Sequence, residues 1–205
     1  MTSSLPTALA GKQLVVVDIE GNGQKRPEII EIAVLPVDGE TGIEAMQEWL
    51  IKPIEPITGL VTRKVHGITN ADVANCPKWT DVASAVSELL ANRILVAHNA
   101  SVEYRVLTVH LPDWQPPMVL DTLRLARHVW RHLGGYGLNR LVEHAELDTS
   151  AVANARYHRA RYDAWCAWQL LLTLVERSGL DWVELVKVAA LRDSTSLDEP
   201  SGGLW

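Results

Sequence analysis

Two carboxylates close together at the end of an apolar run are the first candidates for chemistry. The stretch "LVVVDIEGNG" is β-branched and apolar before Asp18 and Glu20, which predicts a buried strand that ends in a glycine-rich turn. Side chains two residues apart on a strand leave the same face, so these two negative charges repel each other. A bound cation relieves that repulsion, and a site of oxygen ligands alone favours Mg²⁺ or Mn²⁺ over zinc. The alternative interpretation is a solvated strand end without a role.

A third acid lies where a later strand passes into a helix. In "LVAHNASVEYRVL" the apolar run ends at Ala97, and Glu103 falls in the first turn of the predicted helix. The helix dipole favours an anion there. The same position suits an ordinary first-turn acid, so this stretch alone does not distinguish a ligand from a helix-stabilising charge.

The last two candidates precede and open a long apolar helix. In "YHRARYDAWCAW" His158 and Asp163 are five residues apart. On a regular helix that spacing separates two side chains by roughly 140°. Both can reach one site if His158 lies on the lead-in loop and Asp163 lies in the opening turns. The alternative is a surface histidine beside a helix-starting acid.

The elements that carry these residues follow a pattern typical of a mixed α/β sheet. Strands are predicted at "KQLVVVDIE", "PEIIEIAVLPVD", "EAMQEWLIKP", "RILVAH" and "MVLDT". Helices are predicted at "TGLVTRKVHG", "TDVASAVSELLAN", "NASVEYRVLTVH", "DTLRLARHVWRHL", "GLNRLVEHAEL", "HRARYDAWCAWQLLLTLVERSG" and "DWVELVKVAAL". Three strands with tight turns predict an antiparallel meander, and the later alternation predicts helices flanking the sheet. Expected helix caps are Thr80, Asn99 or Ser101, and Asp121.

Length and charge limit the class of protein. A chain of 205 residues most often forms one domain, and a net charge of −6 argues against coating of long duplex DNA while allowing an enzyme that holds a few nucleotides. Cys76 and Cys166 lack CxxC spacing, so no disulfide or zinc framework is expected. The apolar runs are too short to span a bilayer and the N-terminus lacks a signal-peptide pattern, so we expect a cytoplasmic protein without membrane contact.

The order of these motifs resembles that of the DEDDh (DnaQ-like) 3′→5′ exonucleases. Strand-Asp-x-Glu, His-Asn-Ala-x-x-acid and His-x-x-x-x-Asp follow one another as in that family, and "KVHGITNADV", "VLDTLRLARHVW" and "YGLNRLVEH" resemble its intervening segments. The likeness covers roughly residues 14–177 and is greatest to the exonuclease X-like proteins and the epsilon proofreading subunits of DNA polymerase III. It implies an RNase H-like mixed five-stranded sheet flanked by helices. We expect an exonuclease domain over residues 12–192, a flexible leader over 1–11 and a flexible tail over 193–205.

The resemblance also implies a site for two divalent cations, Mg²⁺ or Mn²⁺. Asp18 would bridge both cations, Glu20 and Asp163 would complete the site of the first, and Glu103 would serve the second. His158 would be the general base that takes a proton from the attacking water. These roles suit the chemistry, because two cations stabilise both the attacking and the leaving oxygen of a phosphodiester and a histidine accepts a proton near neutral pH.

The second motif departs from the family pattern. The family usually has Phe-Asp where this chain has Val102 and Glu103. Glutamate keeps the charge and adds one methylene, so we expect activity to survive with a stronger preference for Mn²⁺.

Substrate contacts are implied for the loop after the first motif and for two further positions: Gly21, Asn22, Gly23, Gln24, His66 and Asn99. Asn22 and Gln24 are the candidates for a wedge that separates paired ends. The alternative for His66 is a helix C-cap, since Gly67 follows it.

The leading function is a metal-dependent 3′→5′ exonuclease that releases nucleoside 5′-monophosphates from single-stranded or frayed DNA ends, in repair or in proofreading. An exoribonuclease, or a hydrolase of short oligonucleotides or free nucleotides, is the first alternative, because few loop contacts read the 2′-hydroxyl. A non-catalytic nucleic-acid or polymerase-associated module is the second. The sequence leaves a homodimer and association with a polymerase open.

Overall fold

A five-stranded mixed sheet forms the centre of the protein. The computed structural model describes residues 5–57, 64–154 and 157–191. The strands are β1 (Leu14–Gly21), β2 (Ile29–Val37), β3 (Gln47–Leu50), β4 (Ile94–Ala97) and β5 (Val119–Asp121), in the spatial order β3-β2-β1-β4-β5. The first three pair antiparallel, and β4 and β5 continue the sheet in parallel from β1. The predicted fold class is therefore confirmed.

Helices cover both faces of this sheet. The described residues include α1 (Asn70–Val73), α2 (Trp79–Leu90), α3 (Ser101–His110), α4 (Thr122–Val129), α5 (Leu138–Ala145), α6 (Ala160–Ser178) and α7 (Trp182–Ala189). One apolar layer joins β1 and β2 to buried side chains of α4 to α7, and a second joins them to α2 and α3. Because β1 is buried on both faces, its sequence is a continuous apolar run and not an alternating one.

Two helix starts differ from the predictions. The prediction of a Thr80 cap was wrong: the N-cap of α2 is Lys78, two residues earlier, and the Asp81 carboxylate accepts the backbone N–H of Lys78 at 2.9 Å. The expected Asn99 or Ser101 cap of α3 was also wrong, since Ala100 holds the cap position and no side chain caps it. Asp121 at the end of β5 supplies an acceptor there, since its carboxylate accepts the backbone N–H of Asn99.

Other predicted segments are only partly described. The described part of the predicted leader includes a 3₁₀ turn, Thr7–Leu9. Leu9 is fully buried, so this apolar side chain packs against the domain. Much of the predicted helix "TGLVTRKVHG" and all of the predicted tail lie outside the described residues. Within the described ranges, no helix has the length and apolar character needed to cross a bilayer.

Candidate active site

The face of β1 that carries Asp18 and Glu20 is turned toward α6. Leu14 and Val16 lie on the same face of β1 as these two acids, and they belong to the apolar cluster that includes the buried side chains of α6. Val15 and Val17, on the other face, belong to the opposite apolar layer. Asp18 is half-buried and Glu20 is 7% exposed. The end of β1 thus presents two carboxylates to the start of α6.

The start of α6 brings His158 and Asp163 to the same place. The helix begins at Ala160, so His158 lies on the lead-in loop, where it has a left-handed φ of 59°. Its backbone N–H donates to Asp163 Oδ2 at 3.0 Å. Glu20, His158 and Asp163 each offer a ligand atom, and these atoms lie within 4.8 Å of one another. The five-residue spacing works because the helix begins between the two residues.

Glu103 lies on α3, outside the group of ligand atoms within 4.8 Å, but its charge raises the pKa of Asp18, and Asp121 fixes the turn before it. Asp121 Oδ1 accepts the backbone N–H of Asn99 and that of Leu123, each at 2.9 Å. The first bond ties down the turn between β4 and α3, where Asn99 has a left-handed φ of 65°, and the second caps α4 as predicted. Glu103 follows in the first turn of α3 and is 6% exposed. The role of Asp121 in placing the turn before Glu103 was not predicted.

Burial raises the pKa of all four acidic side chains. It raises the pKa of Glu20 to about 8 and the pKa of Asp163 to about 7, and it raises those of Asp18 and Glu103 well above their usual values. Repulsion adds to burial, because the charge of Asp163 raises the pKa of both β1 carboxylates. A cation bound among these groups would hold them ionised and remove this cost.

The donor set fits a divalent cation. Among the described residues, Glu103 Oε2 and Asp163 Oδ1 are buried oxygens without a hydrogen-bond partner. Buried polar atoms are nearly always hydrogen-bonded, so two such atoms without partners require a physical reason. Carboxylate oxygens are the ligands that Mg²⁺ and Mn²⁺ prefer, and coordination to cations would satisfy such atoms.

His158 differs from the carboxylates in its exposure. The residue as a whole is exposed, yet desolvation of its ring lowers its pKa below the ordinary histidine value. The imidazole is therefore neutral at neutral pH and can accept a proton.

The glycine-rich turn after β1 is held together by its own side chains. Asn22 is fully buried, and its Oδ1 accepts the backbone N–H groups of Gln24 at 3.2 Å and Glu28 at 3.0 Å. Its Nδ2 donates to the carbonyl of Glu55 at 3.3 Å. Asn22 therefore stabilises the turn from inside and does not project from it as the predicted wedge would. Gln24 is partly exposed, and Gly23 has a φ of 78° that favours glycine.

His66 connects a separate segment to the end of β1. Its ring is buried, Nδ1 accepts the backbone N–H of Ile68 at 3.0 Å, and the ring lies close to the backbone of Gly21. Burial lowers the pKa of His66. The residue thus borders the glycine-rich turn, and Gly67 after it has the positive φ of 72° expected at a helix end. The contact of His66 with a substrate stays a prediction.

Two residues beside the site were not predicted to take part in it. Glu31 of β2 lies opposite Glu20 in the strand register and is 3% exposed. It binds the side chain of Arg159, the residue between His158 and α6. The available signal was the single acid inside the apolar run "IIEIAVL", which is unusual for a strand buried on both faces.

The sequence model of the exonuclease family matches residues 15–171, and the protein therefore belongs to this family. It is similar to the PolC-type DNA polymerase III of Oceanobacillus iheyensis, with 30% identity over 181 residues, which are 83% of this chain and 12% of that polymerase. It is also similar to exodeoxyribonuclease 10 of Escherichia coli, with 30% identity over 151 residues, which are 74% of this chain and 64% of that protein. The chain thus spans less than two thirds of either relative.

A solved exonuclease structure has the same fold as this protein. Exonuclease X in complex with 5′ overhanging duplex DNA matches with a TM-score of 0.68 and 26% sequence identity, over 85% of this chain and 98% of that chain. The predicted exonuclease family and RNase H-like fold are therefore confirmed.

Proposed function

We propose that this protein is a metal-dependent 3′→5′ exonuclease that removes nucleoside 5′-monophosphates from single-stranded or frayed DNA ends. The observation that carries the proposal is the meeting of Glu20, His158 and Asp163 within 4.8 Å beside further buried acids. Buried carboxylates without partners are costly, and an arrangement that places several together with a neutral histidine suits metal-assisted hydrolysis.

Four carboxylates would hold two Mg²⁺ or Mn²⁺ ions. Asp18, Glu20 and Asp163 lie on the facing ends of β1 and α6, and Glu103 enters from α3. When bound, the cations would act as Lewis acids on the phosphodiester and lower the pKa of water. The protein contributes rigidity, because each ligand is on a strand or in the first turns of a helix.

His158 would accept the proton of the attacking water. Its lowered pKa leaves the ring neutral at neutral pH. Its backbone N–H bond to Asp163 fixes the loop beside a cation ligand, so the base and that ligand keep one relative position. The exposure of His158 leaves its ring accessible to substrate and water.

The two relatives support DNA as the substrate. Exodeoxyribonuclease 10 is 30% identical, and the exonuclease X structure, at 26% identity, holds 5′ overhanging duplex DNA. The net charge of −6 suits a short footprint on the nucleic acid. Gly21, Gly23, Gln24, His66 and Asn99 border the end of β1 or the start of α3 and are the proposed substrate contacts.

Association with a replicative polymerase and action in the cytoplasm complete the proposal. The PolC-type polymerases support the first, since their matching segment is 12% of a long chain. A polymerase partner would supply the DNA-holding surface that an acidic domain lacks.

The test is a nuclease assay on single-stranded DNA and RNA of one sequence, each labelled at the 5′ end, in Mg²⁺, in Mn²⁺ and in chelator. Asp18→Ala is compared with Asp113→Ala, which removes an exposed aspartate outside the site. We expect a ladder that shortens from the 3′ end, faster on DNA, in the native chain and in Asp113→Ala. A faster ladder on RNA would overturn the DNA assignment, and a ladder in Asp18→Ala would overturn the site.

A further inference from the structure

Glu31 is a buried acid on the same face of the sheet as the site. It pairs with Glu20 across the antiparallel register of β1 and β2, so both side chains point toward α6. Ala33 and Leu35 lie two and four residues after Glu31 on the same face of β2, and both belong to the apolar cluster that includes α6. A carboxylate here would be strongly destabilising without donors of its own.

The donors come from the segment just before α6. Arg159 Nε donates to both oxygens of Glu31 at 3.0 Å, and Nη2 donates to Oε1 at 2.5 Å. The backbone N–H of Ala160 donates to Oε2 at 3.0 Å. Arg159 occupies the N-cap position of α6 and makes no side-chain cap itself. Glu31 therefore supplies from β2 the acceptor that the first turn of α6 lacks.

These bonds lie directly beside the proposed base. His158 precedes Arg159, and its backbone N–H is held by Asp163 one turn into α6. The lead-in segment 158–160 is thus fixed from the helix side by Asp163 and from the sheet side by Glu31. The charge of Arg159 also lowers the pKa of Glu20, which the charge of Glu31 raises, so the ion pair reduces repulsion across the two strands.

We propose that Glu31 is a positioning residue that, through Arg159 and the Ala160 N–H, fixes the loop of His158 and the first turn of α6 with respect to β1. This inference rests on the proposed function for its catalytic consequence. Glu31 is not a cation ligand in this assignment, because both of its oxygens already accept hydrogen bonds, whereas Glu103 and Asp163 each keep one buried oxygen without a partner among the described residues.

Three substitutions test the pair. Glu31→Gln keeps the shape and removes the charge, and Arg159→Gln removes the other partner. We expect each to lower kcat by roughly 10- to 100-fold, the range typical of residues that orient ligands, with a much smaller change in KM. The double variant should be no slower than the slower single variant, because both changes break one unit. Arg159→Lys keeps charge without the planar fork and should recover part of the rate.

Arg161→Gln is the matched control. Arg161 is on the same helix and lies 3.4 Å from Glu48 in an exposed ion pair, so we expect native kcat. If Glu31→Gln does not fold, Arg159→Gln still decides, since its side chain is one third exposed.

Two further measurements separate this role from others and from the proposed function. Proton–nitrogen spectra of the histidine rings should show a shifted or broadened His158 signal in Glu31→Gln and Arg159→Gln, with His98 unchanged as an internal reference. Titration with Mn²⁺ alone, followed by electron paramagnetic resonance, should give the native number of bound ions. An unchanged His158 signal with native kcat, additive rate losses in the double variant, or one fewer bound Mn²⁺ in Glu31→Gln would each overturn the assignment. A native chain without nuclease activity would overturn the proposed function alone, because the His158 spectra still test the positioning.

Discussion

Glu20 and Glu31 are the same residue type at opposed positions of neighbouring strands, and their surroundings differ completely. Both are buried, at 7% and 3% exposure, and both face α6. Glu31 accepts a bidentate guanidinium and a backbone N–H, whereas Glu20 lies among other acids, and burial raises its pKa to about 8. Burial of a carboxylate therefore does not by itself mark a functional residue; what distinguishes Glu20 is that neighbouring acids raise its pKa further.

The physical reason is the cost of an isolated buried charge. A carboxylate in a protein interior keeps its charge when donors replace water, and otherwise it takes up a proton. Glu31 takes the first course, and Glu20 with Asp163 takes the second in the absence of cations. Of these two neighbouring glutamates, Glu31 thus serves stability and Glu20 serves the proposed function.

The sharpest test of this difference is the same substitution at both positions. Glu20→Gln should lower turnover by roughly 10³-fold, since several kcal/mol of charge stabilisation in the transition state are lost. In chelator at pH 8 it should leave the free energy of unfolding unchanged or raise it, because a repelled charge is removed. Glu31→Gln should instead lower that free energy by about 1–3 kcal/mol, as expected when a buried hydrogen-bonded partner is lost.

Single-turnover rates on labelled DNA and urea denaturation in chelator give the two numbers for each variant. Asp113→Ala serves as the surface control. Equal destabilisation by both glutamine variants would show that Glu20 is also a structural ion and would remove the contrast between them.

His158→Ala breaks the chemistry and leaves the carboxylates in place. We expect kcat to fall by roughly 10²-fold or more with little change in KM, because a general base contributes to the transition state and not to substrate binding. Mn²⁺ affinity should stay near native, measured by titration in the absence of nucleic acid. A large loss of Mn²⁺ affinity would instead assign the imidazole as a ligand, which its closeness to Glu20 and Asp163 makes a real alternative.

The predicted parts of the fold and site were those encoded by short stretches. The apolar run before Asp18 identified β1, and the five-residue spacing of His158 and Asp163 required a helix start between them for both to reach one site, which is where the structure has it. The motif order then indicated the family, which the comparison with known proteins confirmed. Local pattern suffices here because strand alternation and helix capping act over a few residues.

Contacts between distant segments could not be predicted in the same way. Glu31 and Arg159 are 128 positions apart, and their pairing depends on the register of β1 with β2 and on where α6 crosses them. The same reason explains Asp121, which was expected only to cap its helix but also holds the turn before Glu103. Asn22 looked like a surface residue in a glycine-rich turn, and its burial follows from a loop 33 residues away.

The acidic site should also make the metal-free protein less stable as the pH rises. Glu20 and Asp163 have folded-state pKa values raised to about 8 and about 7, so the folded protein binds more protons than the unfolded chain between their ordinary pKa values and these. That contribution is fully present below about pH 4 and is lost as the pH rises through 7 to 8. A loss of only ~1 kcal/mol lowers Tm by roughly 2–4 °C in a domain of this size.

Thermal melts in chelator from pH 5 to pH 9 would measure this decline, and Mn²⁺ should reverse it at high pH by binding the folded state. Glu20→Gln should flatten the curve, whereas Arg161→Gln should follow the native protein. A Tm that rises from pH 5 to pH 9 in chelator would contradict the raised folded-state pKa values of these two acids.

Glu103→Asp is the mildest change, and it tests whether the site is built around the longer side chain. Glu103 is buried, and one of its oxygens has no hydrogen-bond partner among the described residues, so it can move toward a cation without losing a bond. Shortening it should change turnover in Mg²⁺ by less than the roughly tenfold that loss of an orienting partner costs, and it should lower the ratio of Mn²⁺ to Mg²⁺ activity. Parallel rate measurements in the two metals would detect this, with Glu103→Gln as the variant that keeps length and loses charge. If Asp fails as completely as Gln, the turn held by Asp121 has fixed α3 at a distance that only glutamate can span, and the length of the side chain, and not its charge alone, is then part of the site.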